Sequence, residues 1–213
     1  MLSILKFTGN LLVVSILMSA CADLQLGKKA YEEGDYALAE KNFQELSQRG
    51  FPRAYKGMGD IALKKNPQNN QVSLEYYLKA YNAGYISAAS DIAMLKIDNA
   101  TTQSELNEVY DWLVKAEKSN KQSVSYKLAL MRLEGRGTNQ DVDRGLKELN
   151  TLATQDYAPA HFYLGGLYHK GQYLAFSDIK ALGHYNQADY LGSEYAKLKI
   201  ADINAQKQSR VFY

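Results

Sequence analysis

The sequence predicts an all-α fold, a right-handed solenoid of about five two-helix units closed by an unpaired helix at the carboxyl end. Three observations carry that expectation. Like residues recur in columns at a fixed spacing, the columns have the internal spacing of helix faces, and strand-like alternation is nearly absent over the 213 residues. Gly50, Gly84, Asn120, Asp156 and Gly192 are separated by 34, 36, 36 and 36 residues. Gly, Asn and Asp are the types that tolerate a left-handed backbone just past a helix end. The same offsets carry Ala39, Ser73, Val109, Gly145 and Ala181; Phe43, Tyr77, Leu113, Leu149 and Tyr185; and Leu46, Ala80, Ala116, Leu152 and Ala188. Within a unit these fall at i, i+4 and i+7, one face of a second helix.

Taken in order, the first element is an export signal over residues 1–20. The apolar run from Leu11 to Met18, preceded by Lys6, is too short to span a bilayer but suits the core of a secretory signal. It ends in Leu17-Met18-Ser19-Ala20 before Cys21, the sole cysteine, which can form neither an internal disulfide nor a zinc site. This segment resembles a bacterial lipoprotein signal with its lipobox. The resemblance implies cleavage before Cys21, lipid on that residue (palmitate among its chains), and, with Ala22 rather than Asp following, an outer-membrane destination facing the periplasm. Two or three chains hold a protein on a membrane where one does not. Residues 21–23 are then a very short tether. Removal of residues 1–20 takes away one Lys and no acid, leaving a formal charge of +1; such a balance points to no nucleic acid.

The helical repeat domain spans 24–207, with units near 24–53, 54–87, 88–123, 124–159 and 160–193 and a cap over 194–207. The first helix of a unit follows the turn. Ala54, Ala88, Val124, Ala160 and Ala196 open it; Met58, Ile92, Leu128, Leu164 and Ile200 follow four residues on. Gly59, Ala93, Ala129, Gly165 and Ala201 come next, and Ile61, Leu95, Met131, Leu167 and Ile203 complete the face. A large, small, large order suits closely stacked helices, and Gly165 is expected to be a close contact. Pro52 and Pro159 fall at the starts of first helices and Pro67 in a connection, where a missing N–H is harmless. Thr102 with Glu105 has capping-box spacing, and Asp141 stands as an N-cap. Residues 208–213 are expected to leave the helix as a tail that packs on the cap or binds a partner.

The stretches "HFYLGGLYHKGQ" and "DIKALGHYNQADYLGSEYA" resemble a Sel-like repeat, the longer relative of the tetratricopeptide repeat, and Gly135 and Gly137 match its Gly-x-Gly connection. The first unit, "GKKAYEEGDYALAEKNFQELSQRG", is closer to a tetratricopeptide unit. Lys65 and Asn99 stand where Gly135 and Gly171 stand later, so those connections should differ in shape. In this family first helices line the concave side, which makes Tyr55, Lys96, Tyr126, Arg132, Tyr163 and Tyr168 the candidate partner-binding residues. An aromatic at helical spacing is more often core, and composition alone leaves the two uses open.

No catalytic constellation, cofactor motif or metal-ligand spacing is present; His161, His169 and His184 lack a flanking Glu at metal-ligand spacing. The expectation is a non-enzymatic protein without cofactor. The opening "CADLQLGKKAYEEGDYALAEKNFQELSQRGFPRAYKGMGDIAL" resembles tetratricopeptide-type outer-membrane lipoproteins of exopolysaccharide export. That resemblance implies a scaffold for protein partners in the cell envelope, an outer-membrane porin or polysaccharide-export components among them, as in alginate secretion. Two other readings stay open: a carbohydrate-binding module using exposed tyrosines, and a modulator of a host or periplasmic protein.

Overall fold

Turn chemistry sets the rhythm of the chain. The computed structural model describes residues 19–119 and 121–211, and among them every regular element is helical. The helices are α1 over 19–32, α2 Tyr36–Gln48, α3 Pro52–Lys65, α4 Gln71–Asn82, α5 Ala88–Ile97 and α6 Gln103–Ala116, the last followed by a 3₁₀ turn at Glu117–Ser119. Then come α7 Gln122–Glu134, α8 Val142–Thr154, α9 Ala158–Lys170, α10 Asp178–Tyr190 and α11 Glu194–Val211. Among the described residues the fold is all-α and built from successive helix pairs, and α11 packs on α10 after the last of them. Two bodies divide it, residues 1–99 and 100–213.

The left-handed column is confirmed where it can be seen. Gly50, Gly84, Asp156 and Gly192 have φ of 81°, 99°, 56° and 96°; Asn120 lies outside the described residues. Asp156 holds this conformation without glycine's freedom, as Asp and Asn do more readily than other side chains. Gly135 and Gly171 end α7 and α9 as left-handed caps, whereas α3 ends at Asn66 with φ −141° and α5 at Asp98 in a right-handed conformation. The connections therefore do differ, because a residue with a Cβ disfavours the left-handed stop that Gly supplies. Pro52 and Pro159 sit in the first turns of α3 and α9. Thr102 and Glu105 form a full capping box, and Asp141 accepts from the Arg144 N–H.

In the first body, Ala30 of α1, Ala39 and Phe43 of α2, and Met58 and Ile61 of α3 form one buried cluster, against which Tyr76 of α4 packs. In the second, Ala129, Leu149, Leu152 and Leu164 join α7, α8 and α9, while Tyr185, Ala188, Ala196 and Ile203 join α10 and α11. Glycine at the crossings lets helices approach. A Cβ on Gly59 would lie 2.5 Å from the Tyr77 ring, and one on Gly165 would lie 2.9 Å from that of Tyr185.

The ends depart from the sequence reading. Residues 1–18, most of the expected signal, lie outside the described residues. The positions expected as a tether, 21–23, are helical and belong to α1. At the other end α11 continues through Val211 instead of breaking at 208. Gln206, Lys207, Gln208 and Arg210 are good helix formers, and no Gly or Pro interrupts them.

Candidate interaction surface

The first-helix side chains singled out from the sequence do not form one exposed row. Arg132 departs most from that expectation. Its side chain is only 5% exposed, and its guanidinium donates to both Glu148 carboxylate oxygens at 2.7 and 2.8 Å. It also donates to the Tyr110 hydroxyl at 3.1 Å and lies 5.7 Å from that ring's centre. Burial works against its charge, but Glu148 and Tyr110 outweigh it and its pKa rises. Its donors are engaged within the fold, with Glu148 and Tyr110.

Tyr126 and Tyr163 are half-buried neighbours. Tyr126 meets Tyr157 and Tyr163 edge-on, with ring centres 5.6 and 6.4 Å apart, and burial pushes its hydroxyl up to about 12. The Tyr163 hydroxyl donates to Glu134 Oε1 at 2.6 Å; burial, then that carboxylate, raises its pKa. Tyr168 stacks on the His184 ring at 5.6 Å, and Lys180 approaches its ring at 5.3 Å. With their pKa values raised, the Tyr126 and Tyr163 hydroxyls stay protonated at neutral pH and serve packing and, for Tyr163, donation rather than nucleophilic chemistry.

Tyr55 and Lys96, both half-buried, belong to the first body. Near Tyr55 in sequence, Lys56 donates to Asp60 at 2.6 and 2.7 Å, and the Tyr77 hydroxyl donates to the same carboxylate at 2.8 Å. Arg53, Lys56, Lys28 and Tyr85 line an open pocket of about 290 Å³ beside this group. Cys21 is exposed.

Two arrangements carried no sequence signal. His161 places Nδ1 3.1 Å from His184 Nδ1, and its Nε2 lies 3.0 Å from the Ala153 carbonyl. A carbonyl only accepts, so Nε2 of His161 carries the proton, its Nδ1 accepts, and His184 donates. Burial, then His161, lowers the His184 pKa. The other arrangement is the Arg132 network, whose Tyr110 and Glu148 lie on different helices and share no column with it. His169 pairs separately with Asp178 at 2.8 Å.

No protein-family model matches the chain. A Sel1 repeat protein from Oxalobacter formigenes superposes with TM-score 0.70 at 18% identity, covering 84% of this chain and 74% of that one. A protective antigen of uropathogenic Escherichia coli with an SLR fold superposes at 0.67 and 22% identity, covering 86% and 41%. The fold is that of the Sel1-like repeat. In sequence, the alginate biosynthesis protein AlgK of Azotobacter vinelandii is 28% identical over 131 residues, 59% of this chain and 28% of that protein. AlgK of Pseudomonas putida is 28% identical over 126 residues, 57% and 26% of the two chains. The chain thus spans about a quarter of the length of these curated relatives. No helix among the described residues is long and apolar enough to cross a membrane.

Proposed function

We propose that the chain is a non-enzymatic outer-membrane lipoprotein, anchored through Cys21 with its repeat domain in the periplasm. It holds together protein partners of an envelope assembly that makes or exports an exopolysaccharide of the alginate type. The observation that carries the reading is the 131-residue likeness to an alginate biosynthesis protein, on a fold whose stacked helices present extended binding faces. The exposed Cys21, on the helix that enters the first packed cluster, supports an anchor that holds the domain close to the bilayer.

A glycan-binding module finds less support. Tyr126, Tyr163 and Tyr168 turn rings or hydroxyls toward neighbouring side chains rather than forming a flat polar row. The test is photo-crosslinking in cells, with the crosslinker at Tyr55 or Lys96 of the full-length protein, read by mass spectrometry. Envelope proteins of polysaccharide export are the expected products; labelled glycan without a specific protein would refute the scaffold. Cys21→Ser should remove the lipid mass and release the protein from the membrane fraction.

A further inference from the structure

The open pocket beside Asp60 lies wholly within the first body, between the first helices of two successive units. Phe43 is at its base, wedged where α1 and α3 pass close: a Cβ on Gly27 would lie 2.7 Å from that ring, and one on Gly57 would lie 2.5 Å from it. To the lining α1 contributes Leu24, Gln25 and Lys28, α3 contributes Arg53 and Lys56, and the turn before α5 contributes Tyr85.

Charge sets this pocket apart. Three cations and one carboxylate line it, and the carboxylate is already satisfied: Asp60 accepts from Lys56 at 2.6 and 2.7 Å and from the Tyr77 hydroxyl at 2.8 Å. Lys28 and Arg53 therefore carry the excess positive charge. Lys28 lies 3.6 Å from Glu32 in a solvent-exposed pair, a kind that contributes little. Arg53 is exposed and makes no ion pair among the described residues. The repeat itself shows that the fold does not require these α3 cations. In later first helices the Arg53 position is Ser87, Ser123 and Pro159, and the Lys56 position is Ser90, Tyr126 and Phe162.

We infer that this pocket binds an acidic segment of a partner protein, pairing an Asp or Glu side chain with Lys28 and Arg53 and setting an adjoining apolar residue against Leu24. Charge complementarity selects that occupant. Residues 1–18 of the chain itself carry one lysine and no acid, so they do not match the lining. The Phe43 ring is only 5% exposed, so the base offers no flat face on which a sugar could stack, which favours a peptide over an acidic glycan. The inference rests on the interaction-scaffold reading and names the chemistry of one partner surface.

The probes are two pools of fluorescein-labelled heptapeptides with randomised flanks, one built around a leucine-glutamate-leucine core and the other around leucine-glutamine-leucine. Each is titrated with the full-length protein and followed by anisotropy. The glutamate pool should bind at least about tenfold more tightly than the glutamine pool. That preference should shrink in about 1 M salt, where the Debye length is about 3 Å. Arg53→Gln and Lys28→Gln should each remove most of it; both positions are exposed, and thermal melts check that the variants fold. Lys29→Gln, which alters an exposed cation of α1 outside the lining, should leave it unchanged. Equal binding of the two pools, or a preference that survives the Lys28→Gln, Arg53→Gln double variant, overturns the inference. So does a labelled hexauronate that binds more tightly than the glutamate pool through the same two residues, since the ligand is then an acidic glycan. Self-association that the double variant disperses also overturns it, because the acidic segment is then this chain's own. Specific protein crosslinks at Tyr55 or Lys96 without a glutamate preference would sink this pocket and leave the scaffold reading standing.

Discussion

Gly165 and Gly183 offer a matched pair of helix glycines in one repeat unit, and they should respond oppositely to alanine. Both sit inside helices, α9 and α10, where Ala is favoured over Gly by roughly 1 kcal/mol on propensity alone. A Cβ at Gly183 meets nothing within 4 Å, so Gly183→Ala should keep that whole gain. At Gly165 the new Cβ would lie 2.9 Å from two carbons of the Tyr185 ring. That ring is 3% exposed and cannot swing aside, being held by Phe162 and by the cluster around Ala188 and Ile203. Overpacking of this kind costs about 1–3 kcal/mol and cancels or exceeds the propensity gain. The two alanine variants should therefore differ by about 2 kcal/mol, roughly 4–8 °C in melting temperature for a chain of this size. Gly165→Leu adds three further carbons to the same contact and should destabilise by about 3 kcal/mol. Thermal melts by far-UV circular dichroism read all three variants. A Gly165→Leu protein that melts with the wild type would refute the close-packed assignment of that column.

The histidine pair should make the second body acid-sensitive. Burial and His161 lower the His184 pKa, so the unfolded chain takes up the proton first as pH falls. The contribution of His184 is complete above its unfolded value of about 6.5 and is lost as pH drops through the lower folded value. Melting temperature should fall across that window, and His184→Phe, which keeps a ring against Tyr168, should flatten the profile; an unchanged profile would contradict the assignment. For the buried network, Glu148→Ala leaves the Arg132 charge without its main partner and should cost about 3 kcal/mol. Arg132→Met with Glu148→Leu should recover most of that loss, and urea denaturation of the single and double variants measures the coupling between the two residues.

Most of the fold was legible because repetition samples one physical requirement several times. One Gly past a helix is weak evidence, but Gly50, Gly84, Asp156 and Gly192 all adopt the left-handed turn that their common spacing demands. The capping box at Thr102 and the cap at Asp141 were equally local and came through intact. Exposure was less legible. Arg132 occupies the same register as Tyr168 and Lys96, and nothing within one repeat distinguishes a side chain that faces solvent from one that faces a carboxylate on the next helix. Glu148 decides the matter from 16 residues away. The histidine pair escaped for the same reason: its members lie on α9 and α10, 23 residues apart, with no column in common. The length of α11 was misjudged because the repeat columns stop at Ile203, whereas helix continuation needs only favourable local propensity.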